Sequence, residues 1–151
     1  MPFVANPYEA RFSDLVFHEL APSVGYARAC INVTPPAGGA PVTLGTVVYR
    51  AAGTDPEGDY AVLSAAAQLV ATNEFAVVYG DNYGFNASFV PNAIVAGEFN
   101  AVGFKRGPVQ LKDYYIKQVA QDADGANLTD AQFETLRELL KKQGVIVEIT
   151  L

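Results

Sequence analysis

The sequence has a single cysteine, a single histidine and no tryptophan. One cysteine has no partner for an internal disulfide. Metal sites assembled from cysteine and histidine need three or four such ligands, so the same count excludes them. Catalysis built on a histidine has only His18 to use, and no serine, cysteine or aspartate forms a partner set around it. Charge is also scarce, at 17% of residues against roughly 25% in an ordinary soluble domain. A surface so sparing with charge suits contact with other protein. Lysine and arginine together number 10 against 16 aspartates and glutamates, a formal net charge of −6. Too few cations are available to displace phosphate counterions, so direct nucleic-acid binding is not expected. No apolar run approaches the ~18 residues of a membrane span. The start, Met-Pro-Phe-Val-Ala-Asn, has neither the basic opening nor the long apolar run of a secretory signal. The expectation is a soluble protein made in the cytoplasm, with no cofactor, no metal and no enzymatic chemistry.

What the chain does have is apolar material: half of its 151 residues are hydrophobic, enough for one domain with a real core. Residues 1–24 read as an extended arm, because Pro2, Pro7 and Pro22 break any helix and bias their predecessors toward extended backbone. Within the arm, Ser13-Asp-Leu-Val-Phe-His-Glu-Leu20 is apolar enough to dock on a surface, or to be a first strand of the domain. Residues 25–151 read as the domain. Ala27–Thr34 predicts a strand around Cys30, Ile31 and Val33, and Pro35–Pro41 a turn cluster. Val42–Tyr49 is rich in β-branched residues and predicts another strand, with Gly45 marking a bulge or a close backbone approach. Tyr60–Leu63 and Phe75–Tyr79 predict two more, separated by an Ala-rich piece with room for a helical turn or two. Gly80–Asn86 reads as a loop, and Gly97–Phe104 leads into a further strand. Lys105–Pro108 interrupts before Val109–Leu111, and Lys112–Gln121 suits a short helix or a strand equally.

The clearest element comes last. Thr129-Asp-Ala-Gln132 is a capping box, and Phe133, Leu136, Leu139 and Leu140 then share one helical face. Asp130 and Glu134 stand near the positive end of the helix dipole, Lys141 and Lys142 near the negative end. Glu138 precedes Lys142 by four, the favourable order for an ion pair. Gly144 closes the helix, and Val145–Leu151 follows as a terminal strand.

Other motifs give less. Cys30 has apolar neighbours and reads as a small buried hydrophobe. Asp122-Ala-Asp-Gly-Ala-Asn resembles the opening of a calcium loop, but the register puts Asn127 where the glycine belongs and Phe133 where the bidentate glutamate belongs. Tyr79, Tyr83, Phe85 and Phe89 could stack a sugar or a base, although aromatics bordering strands suit a core better.

The order of several segments is similar to that of a known family. Ser13–Leu20, then Tyr26-Ala-Arg28 and Leu44-Gly-Thr-Val-Val47, resemble the opening of the lambda-type bacteriophage head decoration (capsid-stabilising) proteins. Phe75–Tyr79 resembles that family's middle strand, and Asn100-Ala-Val-Gly-Phe-Lys-Arg-Gly-Pro-Val109 its apolar strand ending in Arg-Gly-Pro. The helix from Thr129 to Gln143, then Gly144 and the strand Val145–Ile149, match its usual finish. The resemblance spans residues 13–149 and implies a structural virion protein, not an enzyme. Such a protein binds the outer surface of the expanded phage head as a homotrimer and reinforces it against packaged DNA. Its partner would be the major capsid protein, contacted by an arm comprising Ser13, Asp14, Leu15, Val16, Phe17, Glu19 and Leu20. As an added strand, that arm would set Leu15 and Phe17 on one side and Asp14 and Val16 on the other. The fold expected is α+β: a compact, mostly-β, small barrel-like domain with a C-terminal helix, preceded by the extended arm. Two other roles compete: a different coat- or tail-associated virion protein, and a small carbohydrate- or ligand-binding module using the Tyr79–Phe89 aromatics.

Overall fold

A computed structural model describes residues 15–19, 27–34, 42, 44–51, 53, 59–81, 99–122 and 125–149. The strands are β1 (Val16–Glu19), β2 (Arg28–Thr34), β3 (Val47–Ala51), β4 (Asp59–Val62), β5 (Asn73–Asp81), β6 (Phe99–Phe104), β7 (Val109–Lys112) and β8 (Val145–Glu148). The helices among the described residues are α1 (Asp113–Val119), α2 (Asp130–Lys142) and a 3₁₀ turn at Ala66–Gln68. The fold is mostly β, with a closed barrel in the order β2-β4-β3-β5-β6 and a separate three-stranded sheet, β1-β7-β8. All barrel neighbours run antiparallel except β2 and β4, whose parallel pairing closes the ring. In the second sheet β7 is central, antiparallel to β1 and parallel to β8.

Two apolar clusters hold the layers together. Ile31, Val33, Val42, Val48, Tyr60, Ala76, Val78 and Ala101 form one. The larger one joins the outer side of β3 and β5 to the second sheet and both helices, through Val47, Phe75, Val77, Leu111, Ile116, Leu136 and Leu140 among others. Alternate residues of β5 therefore enter different clusters: Phe75 and Val77 the larger, Ala76 and Val78 the smaller. A strand buried on both faces reads as a continuous apolar run, and Phe75-Ala-Val-Val78 is one.

Helix α2 forms as its local signals require. The Thr129 hydroxyl accepts from the Gln132 amide, and the Gln132 side chain accepts from the Thr129 amide, completing the capping box. Phe133, Leu136, Leu139 and Leu140 are buried against the larger cluster. The helix ends at Gly144, whose φ of +87° suits glycine. Chain β6–β7 crosses this point so closely that Gly107 and Gly144 touch backbone to backbone: a Cβ on Gly107 would lie 1.7 Å from the Gly144 oxygen. Beside them the Gln143 carboxamide accepts from the Phe75 amide at 2.9 Å and donates to the Phe75 and Lys105 carbonyls, each at 2.8 Å. That side chain takes the place of a neighbouring strand for β5 beyond the last residue of β6.

Several expectations need correction. Cys30 is exposed, because Ile31 and Val33 take the buried face of β2 and the alternating residues turn outward. The strand foreseen over Val42–Tyr49 starts only at Val47; Leu44 and Gly45 form a turn, with Gly45 at φ +89°. The close approach foreseen for Gly45 is present, its missing Cβ facing Tyr115 at 3.1 Å. The ambiguous Lys112–Gln121 resolves as α1, burying Asp113, Ile116 and, just past its end, Ala120 at helical spacing. The Ala-rich piece forms only the 3₁₀ turn. Gly80 and Asp81 extend β5 instead of opening a loop. The ion pair of Glu138 is with Lys141, at 3.9 Å, in place of Lys142. The turn cluster at Pro35–Pro41 lies outside the described residues.

Candidate docking site

Of the arm residues singled out in the sequence, Ser13, Asp14 and Leu20 lie outside the described residues. The others are built into the domain. Leu15 is completely buried in the larger cluster, and β1 pairs with β7. The part of the 1–24 segment that can be described is therefore an edge strand of the body, the alternative left open for it in the sequence.

The pairing of β1 is irregular in a consequential way. Val16 stands opposite Leu111 and His18 opposite Gln110, so two steps along β1 match one step along β7. This bulge makes Phe17 the additional residue. Residues three apart in a regular strand point to opposite faces, yet the bulge lets Val16 and Glu19 both face inward. Val16 is half-buried against the larger cluster and Glu19 is buried, whereas Phe17 is 65% exposed and His18 is exposed. As β1 pairs with β7, Leu15 and Phe17 therefore do not share one side. Leu15 precedes the strand and anchors it, while Phe17 is thrust outward by the bulge.

Glu19 enters the interior because Arg28 meets it there. Arg28 Nε donates to both carboxylate oxygens, at 3.0 and 3.2 Å, and Nη2 donates to Oε2 at 2.7 Å. The Glu19 side chain is only 2% exposed. The guanidinium also lies over the Tyr79 ring, 5.0 Å from its centroid, and Tyr79 packs against Phe104 at 5.5 Å. The hydrogen bonds to Glu19 raise the Arg28 pKa above its ordinary value in spite of partial burial, so the guanidinium stays charged. Removing one partner of a buried pair costs about 3–5 kcal/mol, because the other charge is stranded. The pair ties the second sheet to the barrel, β1 to β2. Its importance was not visible in the sequence, where no pattern links Glu19 to Arg28 or to Tyr79.

The two edges of the β1-β7-β8 sheet differ. On the side of β8 away from β7, Arg137 Nε donates to the Val147 carbonyl at 2.9 Å, so α2 covers that edge. On the side of β1 away from β7, no backbone hydrogen bond is made among the described residues. An open edge is a template for a further strand. Beside it stand the exposed Phe17 and the half-buried Val16, which ends an inward-facing row with Leu111 and Val147.

The remaining candidates have structural partners. Asp122 accepts from the Ala66 amide at 2.8 Å and from Gln132 Nε2 at 3.0 Å, tying the loop before α2 to the 3₁₀ turn. No group of three or more metal-ligating side chains occurs among the described residues. Tyr79 is engaged by Arg28 and Phe104, while Tyr83, Phe85 and Phe89 lie outside the described residues. No described helix is long and apolar enough to cross a membrane. Compared with protein-family models, curated proteins and solved structures, the chain gives no match.

Proposed function

We propose that this chain is a structural virion protein, a decoration subunit that binds the major capsid protein on the outer surface of an expanded phage head. As a homotrimer it would stabilise the shell against the pressure of packaged DNA. The reading rests on the resemblance in segment order, and one structural observation supports it. The segments that carry the resemblance fall on elements that follow one another in the same order along the chain: β1 and β2, the turn before β3 with the start of that strand, β5, β6 through the Lys105–Pro108 turn to β7, and α2-Gly144-β8. The first of them presents an edge that is unpaired among the described residues, with an exposed aromatic residue beside it, a surface suited to strand addition. Three such edges on one trimer would bind with avidity, so each contact can be weak. A trimer could also engage only when expansion sets three sites at the right spacing.

The test is co-sedimentation of the purified chain with undecorated heads of the same phage, expanded and unexpanded in parallel. Saturable binding to expanded heads alone is the expected result. Binding to neither form would sink the decoration role and turn attention to another coat- or tail-associated position.

A further inference from the structure

Strand addition by a decoration subunit can work in two ways. The segment can leave its own body and pair with the coat protein, or it can stay in place and offer its second edge. We propose the second: β1 remains on β7 throughout, and its other edge, unpaired among the described residues, recruits an extended, uncharged, alternating apolar segment of the coat protein. The inference rests on the decoration reading and specifies which surface of the subunit performs it.

Three observations favour a strand that stays. Leu15 is completely buried just before β1, so release would bring a core side chain into water. Glu19 is held by three hydrogen bonds to Arg28, which itself lies over Tyr79, so release would also break this cluster. Release would further strip β7 of its antiparallel neighbour. Nothing comparable opposes addition at the far edge, where no described backbone group need be displaced.

The structure also states the chemistry of the occupant. The inward row Val147, Leu111, Val16 ends in a half-buried valine, so the next strand would place an apolar residue beside Val16. The outward row Ile146, Gln110, His18 contains no aspartate, glutamate, lysine or arginine, and Phe17 projects next to it. A strand with apolar residues facing inward and a neutral or aromatic residue against Phe17 completes both rows. The other edge cannot compete, because Arg137 occupies the Val147 carbonyl.

Hydrogen exchange of the native chain, free and bound to expanded heads, distinguishes the two mechanisms. If β1 stays, amides of β7 keep their protection on binding and those of β1 gain it. Faster exchange of the β7 amides in the bound state would overturn the proposal, since it means that β1 has left. A covalent lock gives an independent check: His18→Cys with Gln110→Cys, in a Cys30→Ser background, joins cross-strand partners. Oxidised protein should bind heads as its reduced form does, within about twofold; binding only after reduction would refute retention of β1. Phe17→Ser should weaken binding about tenfold or more, as for an aromatic anchor, and unchanged binding would count against this edge. If the native chain itself fails to sediment with heads, the decoration reading fails, a result distinct from all of these.

Discussion

Replacing Leu15 or Phe17 by alanine separates the part of the first strand in folding from the docking proposed for it. Leu15 is completely buried in the larger cluster. Truncating such a leucine removes its transfer free energy and leaves a cavity, which together cost about 2–5 kcal/mol. Phe17 is 65% exposed. Burying a whole phenylalanine side chain contributes about 1.5–3 kcal/mol, so covering roughly a third of it is worth about 1 kcal/mol at most. Leu15→Ala should therefore lower stability by at least twice as much as Phe17→Ala, with a drop in Tm on the order of 10 °C. Urea unfolding followed by far-ultraviolet circular dichroism measures both, and tyrosine fluorescence serves as a second probe because the chain lacks tryptophan. Head binding should rank them oppositely once both proteins are compared well below their unfolding transitions. If Leu15→Ala were as stable as the parent, β1 would not be part of the body.

Other consequences concern the body of the domain. Gly144→Ala should destabilise by about 2 kcal/mol more than Gly125→Ala: both positions have positive φ, but a Cβ at Gly144 meets the Gly107 backbone at 2.9 Å and one at Gly125 meets nothing. Equal losses in parallel denaturant titrations would mean the two backbones do not touch. Gln143→Ala leaves the Phe75 amide and carbonyl and the Lys105 carbonyl without this partner; about 2–4 kcal/mol should go. Gln143→Glu keeps only the acceptor and should do no better, so a neutral Gln143→Glu would contradict the geometry. The Asp130 carboxyl is held below its usual pKa by its hydrogen bond from Lys117 at 2.9 Å, and Lys117 is raised in turn. A carboxylate with a depressed folded pKa stabilises at pH above its unfolded value, and the contribution is lost as pH falls through the folded one. The lysine's contribution is present below its ordinary pKa and lost as pH rises through the raised value. Asp130→Asn should flatten the acid limb of the stability profile slightly, and less in high salt; an unchanged acid limb at low salt would dismiss the pair.

What could be read in advance follows the range of the interactions involved. Helix α2 was legible because its capping box, apolar face and closing glycine are all local. The strands at Arg28–Thr34 and Phe75–Tyr79 were legible because their composition suits a pleated, buried surface. Cys30 was misplaced because apolar neighbours on both sides do not say which face of a strand is covered; barrel closure decides that. The segment Lys112–Gln121 held both patterns, and the helix prevails because Ile116 and Ala120 find the larger cluster at helical spacing. Gln143 gave no signal at all, since its three partners are carbonyl and amide groups of residues remote in sequence.

The least legible feature, the membership of β1, is also the one on which the proposed docking rests, and a single ion pair accounts for its alignment. Four residues of strand against β7 are too few to specify a register by backbone bonds alone. A slip by one residue would turn Glu19 to the outer face and leave Arg28 without its carboxylate; a slip without the bulge would drive either Phe17 or His18 inward. Because a charge can be buried only where its partner waits, Arg28 selects the one alignment that also places Leu15 in the core and Phe17 outside it. The edge proposed for docking is thus fixed by a residue on the barrel, and Arg28→Met should weaken co-sedimentation with expanded heads even though Arg28 itself stands on a different sheet.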